Sequence, residues 1–235
     1  VRSAGAHLKP ARGRPNQTVL INTTAHRVLR ENHRAVDLQL VDAGGARSTV
    51  HADREIILSL GSMGSPKLLQ LSGIGPREVL ADAGVPVVVG SENVGRRMRE
   101  HRCFVLRYRL NEDLGFNRRL SSSLGQAKTA AKYLATHRGL LATPTFDVLA
   151  FLKSSEAADR VDGQLLLGPF TIPAYQEDEA MTIEREPGFS CLGFALRPTS
   201  EGSVHITSAD PAAGLRLEPN YLTSAADRSV TANLI

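Results

Sequence analysis

The chain begins with apolar residues spaced as strands rather than helices. Thr18-Val19-Leu20-Ile21 forms a first β-like run, residues 25–29 a second, and residues 36–41 a third, in which Val36, Leu38 and Leu40 alternate with polar neighbours. Ala43-Gly44-Gly45-Ala46 reads as a turn into a further strand over 48–52, and the close spacing predicts an antiparallel meander. The Pro- and Gly-punctuated residues 1–15 predict an extended lead-in. The grammar then changes. A short apolar strand over 55–60 runs into Gly61-Ser62-Met63-Gly64. Ser65-Pro66 offers an N-cap followed by proline at the first helical position, and Leu68, Leu69 and Leu71 supply an apolar face. After Ser72-Gly73-Ile74-Gly75, Pro76 opens a second helix over 77–83 that Gly84 closes, and 85–89 is a strand again. Beyond residue 102 the pattern predicts strands over 104–110, 148–152, 164–167, 191–196 and 203–207. A helix over 123–137 stops at Gly139, and a last helix, capped by Ser224, carries Ala226, Val230 and Leu234.

Composition narrows the class without naming a function. At 235 residues, 42% hydrophobic and 22% charged, the chain has the make-up of one or two globular domains. It contains no apolar run of about 18 residues, as a spanning helix requires. Cys103 and Cys191 are too few for a metal cage or a disulfide framework, and they fit reduced thiols in the cytoplasm. The chain has 17 Lys and Arg against 9 Asp and Glu in residues 1–110, and 11 against 15 in residues 111–235. The positive half could face an anionic cofactor. A nucleic-acid-binding role is disfavoured, because the basic residues are scattered, aromatic residues make up 5% of the chain and no helix-turn-helix, zinc-finger or RNP pattern accompanies them. The sequons at Asn16 and Asn22 lack a signal peptide and read as chance matches, and the acids Glu177 and Glu179 read as a solvated loop.

The most informative string is Gly61-Ser62-Met63-Gly64-Ser65-Pro66-Lys67-Leu68-Leu69-Gln70-Leu71-Ser72-Gly73-Ile74-Gly75. A strand delivers the chain to a glycine turn, and the helix that follows presents unpaired N–H groups and a positive dipole end suited to an anion. As a whole the string resembles the second signature of the glucose-methanol-choline (GMC) family of flavoprotein oxidoreductases. Family-like pieces occur in order: Arg14-Pro15-Asn16 with Thr18-Val19, Arg27-Val28-Leu29, Asn93-Val94-Gly95, Leu196-Arg197-Pro198, Ser208-Ala209-Asp210-Pro211, and Pro219-Asn220-Tyr221-Leu222 with Ala226-Asp227. Residues 111–190 match only loosely.

The resemblance implies FAD as cofactor and a small-molecule alcohol as substrate, oxidised at CH–OH by hydride transfer to the flavin. It implies an α/β plus α+β architecture, in which part of a Rossmann-like FAD-binding domain (1–102) precedes part of an antiparallel-sheet substrate domain (103–235). It also implies cofactor contacts at Val28, through its backbone to the adenine, and at Ser59 and Gly61 near the adenosine and diphosphate. Two family features have no counterpart here. No Gly-x-Gly-x-x-Gly spacing occurs, and none of the seven histidines precedes a proline, as the family's active-site histidine does. The expectation is therefore a central piece of such an enzyme, with no catalytic residue and no metal ligand of its own. His205 reads as structural. The stretch ending at His101 departs from the family's pattern at Arg97, Met98 and Glu100. The alternative is a shortened, non-catalytic relative that serves as a binding module. Neither the alcohol, nor the electron acceptor, nor the subunit number is legible.

Overall fold

The structure, a computed structural model, describes residues 4–173 and 182–235, so Glu177 and Glu179 lie outside the described residues. Along the chain a helical turn (Ala4–Leu8, then α1, Lys9–Ala11) precedes β1 (Thr23–Glu31), β2 (Arg34–Asp42) and β3 (Arg47–His51). Then come α2 (Gly61–Leu71), β4 (Ile74–Gly75), α3 (Arg77–Asp82), β5 (Val89–Gly90) and β6 (Arg96–Met98). The rest comprises β7 (Phe104–Arg109), α4 (Asn117–Leu120), α5 (Ser123–Thr136), β8 (Val148–Leu152), β9 (Gly163–Gly168), β10 (Gly188–Ala195), β11 (Gly202–Ile206), β12 (Leu215–Glu218) and α6 (Ala225–Leu234). The chain divides into two compact units, Val1–Met98 with Ser203–Glu218, and Arg99–Gly202 with Pro219–Ile235.

In the first unit β1, β2 and β3 form the antiparallel meander, with Asp42 closing the second turn by accepting the Gly44 and Ala46 N–H groups. Two segments that read as strands form none. Residues 18–21 and 55–60 lie in no ladder among the described residues, and several of their apolar side chains stand in solvent: Leu20 is 57% exposed, Ile21 70% and Ile57 75%. A β-like sequence without a neighbouring strand has no partner for its backbone groups, which overrides its side-chain preference. The expected strand over 85–89 shrinks to the two-residue β5, parallel to β4. The lead-in is a helical turn over 4–11 rather than extended.

The core of this unit is built from Leu71, Val79, Leu80, Ala83 and Val85, with Ile206 added from β11, far along the chain. β11 pairs with β12 and β6, two short charged strands that sequence periodicity does not reveal. Gln70 ties this sheet to α2. It is fully buried; its Nε2 donates to the Val94 and Val204 carbonyls (each 3.2 Å), and its Oε1 accepts the Ile206 N–H at 2.9 Å. That bond fixes which way the amide points, so Nε2, whose two hydrogens are shared among three acceptors, also faces His205 Nδ1 at 3.2 Å, and an NH2 group there can meet Nδ1 only as an acceptor. His205 is thus held as the neutral Nε2–H tautomer, the structural role expected for it.

Burial, and secondarily Arg216 and Arg96 against an opposing Glu218, pushes the His205 pKa below the ordinary 6.5; His26, buried on β1, is lowered for the same first reason, with Arg27 and Arg47 outweighing Asp210. Both rings are therefore favoured neutral in the folded unit. Their contribution is complete above about pH 6.5 and falls away as pH drops through the lowered folded values. Urea unfolding at a series of pH values should show the first unit weakening from about pH 6.5 downward, and His205→Gln should flatten that dependence.

The second unit is built on an antiparallel sheet in the order β7-β10-β9-β8. α6 lies across β9 and β10 and seats Leu234 where Gly163 has no side chain, an approach that a Cβ at 163 would obstruct. α5 begins at Ser123 as expected, capped by Ser122, whose Oγ accepts the Gly125 N–H, and its C-cap is His137, in the left-handed region before Gly139. The buried Asn117 and Thr171 and the half-buried Glu184 form a polar hub: Asn117 Nδ2 donates to Thr171 Oγ1 at 2.8 Å, whose hydroxyl donates to Glu184 Oε2 at 2.6 Å. Arg109 pairs with the same carboxylate at 2.9 Å. His101 stacks on Phe194 with ring centroids 4.5 Å apart, and its Nε2 lies 3.1 Å from the Leu196 carbonyl, a packing role that needs no chemistry.

Candidate cofactor-binding site

The signature string folds as a helix that starts earlier than its Ser-Pro pair suggests. α2 spans Gly61–Leu71 with Leu60 at the N-cap, so Pro66 lies inside the helix and Ser65 is not the cap. Ser65 Oγ instead accepts the Leu60 N–H at 3.2 Å, fastening the entry to the helix from within. Gly61 takes φ +78°, a conformation side chains rarely adopt, and this lets the chain turn directly into the helix. No side chain caps this end, and Gly61, Ser62 and Met63 are exposed, so the first-turn N–H groups face outward.

The other end of α2 is stapled to β1. Arg27 Nε donates to the Leu71 carbonyl at 3.0 Å, a cation on a helix C-terminus, while the Val28 N–H donates to Ser72 Oγ at 2.9 Å. Ser72 passes the contact on by donating to the Leu68 carbonyl at 2.6 Å. Val28 is therefore a buried residue whose N–H is taken by Ser72, at the position where the resemblance implies a backbone contact to the adenine.

A bulge moves the opening along the same strand. The β1–β2 register shifts between Ala25 and Arg27, with His26 as the extra residue. Val28 directs its N–H off the outer edge of β1 toward Ser72. The inserted residue switches the alternation, so that Ala25, three positions earlier, turns its backbone to that same edge. Thr23, Thr24 and Ala25 there border a cavity of about 300 Å³, closed on the other side by Leu60, Gly64, Lys67 and Leu68 of α2 and its entry. Gly64 is needed for the tight entry, since a Cβ would lie 2.7 Å from Leu60 Cβ. Lys67 is anchored to the Ala213 carbonyl at 2.8 Å, which fixes its charge beside the cavity, and no carboxylate is among the lining residues. Ser59 and Gly61 flank Leu60 at the helix entry. Neither is itself among the lining residues, and Val28 lies one bulge away from Ala25 along β1.

This arrangement fits the adenosine–diphosphate portion of FAD: a strand edge with backbone donors and acceptors for a flat base, an uncapped helix N-terminus, and one fixed cation for an anion. Among the described residues no group of three or more His, Cys, Asp or Glu could hold a metal ion, and no helix is long and apolar enough to cross a membrane.

Comparison with known proteins gives the same direction. Residues 2–103 match the GMC oxidoreductase family model. An oxygen-dependent choline dehydrogenase of Photobacterium profundum is 31% identical over 231 residues, covering 96% of this chain and 39% of that protein. The structure is similar to pyridoxine 4-oxidase from Mesorbium loti, with a TM-score of 0.76 and 25% identity over 99% of this chain and 41% of the oxidase. It also has the fold of an FAD-dependent oxidoreductase from Chaetomium thermophilum, with a TM-score of 0.80 and 19% identity over 99% of this chain and 46% of that one. The chain thus spans about two fifths of the length of the relatives it matches. The expected α/β plus α+β architecture is borne out by these likenesses. Over that span, signature, fold and identity agree, and the chain belongs to the GMC oxidoreductase family of FAD-dependent flavoenzymes.

Proposed function

We propose that this chain forms the adenosine-binding part and a portion of the substrate domain of an FAD-dependent oxidoreductase acting on the CH–OH group of a small alcohol. The observation that carries this reading is the cavity between the Thr23–Ala25 edge and the uncapped start of α2. In it, the backbone of Ala25 holds the adenine edge, the turn at Ser59–Gly61 and the first N–H groups of α2 hold the diphosphate, and Lys67 adds its charge. When bound, the flavin supplies the hydride acceptor for CH–OH oxidation. This chain's own residues bind and orient; none is assigned a proton-transfer role. The described residues of the second unit contribute cavity walls toward the alcohol. The unpaired thiols of Cys103 and Cys191 are compatible with a cytoplasmic setting.

Equilibrium titration tests the reading. ADP is expected to bind the chain more tightly than riboflavin does, and Ala25→Trp, which fills the cavity from the strand side, is expected to weaken ADP binding by about tenfold or more. Circular dichroism and the urea midpoint of the variant serve as the folding control. Riboflavin binding as well as ADP, or a folded Ala25→Trp variant that binds ADP like the parent chain, would overturn the proposal.

A further inference from the structure

A second cavity, of about 190 Å³, lies at the other end of β1, and it shares no lining residue with the first. Its floor is apolar: Leu29 from the strand, and Val85, Pro86 and Val88 from the segment after α3. Two arginines, Arg27 and Arg30, are among its lining residues. Neither makes an ion pair among the described residues: Arg27 uses its Nε on the Leu71 carbonyl, and Arg30 approaches only His33 Nδ1, at 3.4 Å through Nη2. The Nε of Arg30 is buried with no hydrogen-bond partner. A buried charged donor without an acceptor is costly, and the residue that carries it is among those lining a space large enough for a small molecule.

We propose that this cavity binds a small organic anion, a monocarboxylate with a compact apolar body. The carboxylate accepts from Arg30, with Arg27 adding positive potential, and the apolar body rests on Val85, Pro86 and Val88. Two arginines select the charge, since guanidinium groups match the geometry of a carboxylate. The apolar floor selects against a fully hydrated anion. The volume, below the roughly 300 Å³ at which drug-sized pockets begin, limits the body to something near a single ring or a short branched chain. The site does not depend on the assignment of the first cavity.

The test compares benzoate, benzamide and inorganic phosphate as probes on the 235-residue chain, followed by calorimetry and by backbone amide shifts in NMR. Benzoate is expected to bind about tenfold or more tightly than either benzamide, which lacks the charge, or phosphate, which lacks the body, with shifts centred on Leu29, Arg30 and Val88. Arg30→Gln should remove that advantage while leaving the urea midpoint within the range of a surface substitution. ADP affinity, read in parallel, should stay unchanged, since no lining residue is shared. Equal binding of benzamide, no benzoate binding up to tens of millimolar, or an undiminished benzoate affinity in folded Arg30→Gln would each overturn the proposal.

Discussion

Replacing Gln70 by leucine is expected to cost the first unit roughly 3–5 kcal/mol, seen as a lower urea midpoint with little change in the slope of the transition. The side chain is fully buried, and its amide serves four partners on two otherwise separate stretches of chain. Leucine keeps the volume but leaves the buried Ile206 N–H and Val204 carbonyl and the part-buried Val94 carbonyl without their partner. The effect should extend to Gly95, whose φ of +78° brings the backbone against this hub; a Cβ there would overlap both the Val204 carbonyl and the Gln70 amide. His205 would also lose the donor that fixes its tautomer, so the pH dependence of Gln70→Leu should shift along with its stability. Unchanged stability would mean that the β11 sheet is held to α2 by apolar packing alone.

Asp227→Ala is expected to destabilise the second unit by roughly 2–4 kcal/mol. The carboxylate is 4% exposed; Oδ1 accepts from the Thr199 N–H (2.8 Å) and hydroxyl (2.9 Å), and Oδ2 accepts the Ser200 N–H at 2.7 Å. It sits in the first turn of α6, where the helix dipole favours a negative charge. Every partner is a donor. Asp227→Asn should therefore cost nearly as much as alanine, because its NH2 group would be forced against an N–H. Burial pushes this carboxyl up, but the hydrogen bonds from Ser200 and Thr199 outweigh it and hold the pKa below the usual 3.8. The stabilisation is complete above about 3.8 and disappears as pH falls through the lowered folded value. The second unit should thus tolerate acid that already weakens the first through His26 and His205. An Asp227→Asn chain as stable as the parent would refute the all-donor reading.

Much of this is legible in the residues, and the misses share a cause. Alternation at Val36, Leu38 and Leu40, the cap at Ser224 and the uninterrupted apolar run over 148–152 predict elements close to those observed, because each is specified by its own side chains. β6 and β12 escape because they are short and charged and exist only as partners of β11. Residues 18–21 and 55–60 fail in the opposite sense, having strand composition and no partner. The family signature points to α2, where the proposed site lies, and a separate strand match points to Val28; the bulge that turns the Ala25 backbone to the outer edge leaves no trace in an apolar count. Gln70 does leave one: a polar residue set between Leu69 and Leu71 on the apolar face of a helix. Burial explains why it is there.

The central claim, that the strand edge at Thr23–Ala25 and the start of α2 together receive an adenosine diphosphate, is tested most directly by amide shift mapping on addition of ADP. The account predicts shifts concentrated on residues 23–25 and 59–67, with the Arg30 and Val88 amides unmoved. Shifts centred instead on Val28, Arg30 and Val88, or none at saturating ADP, would contradict it.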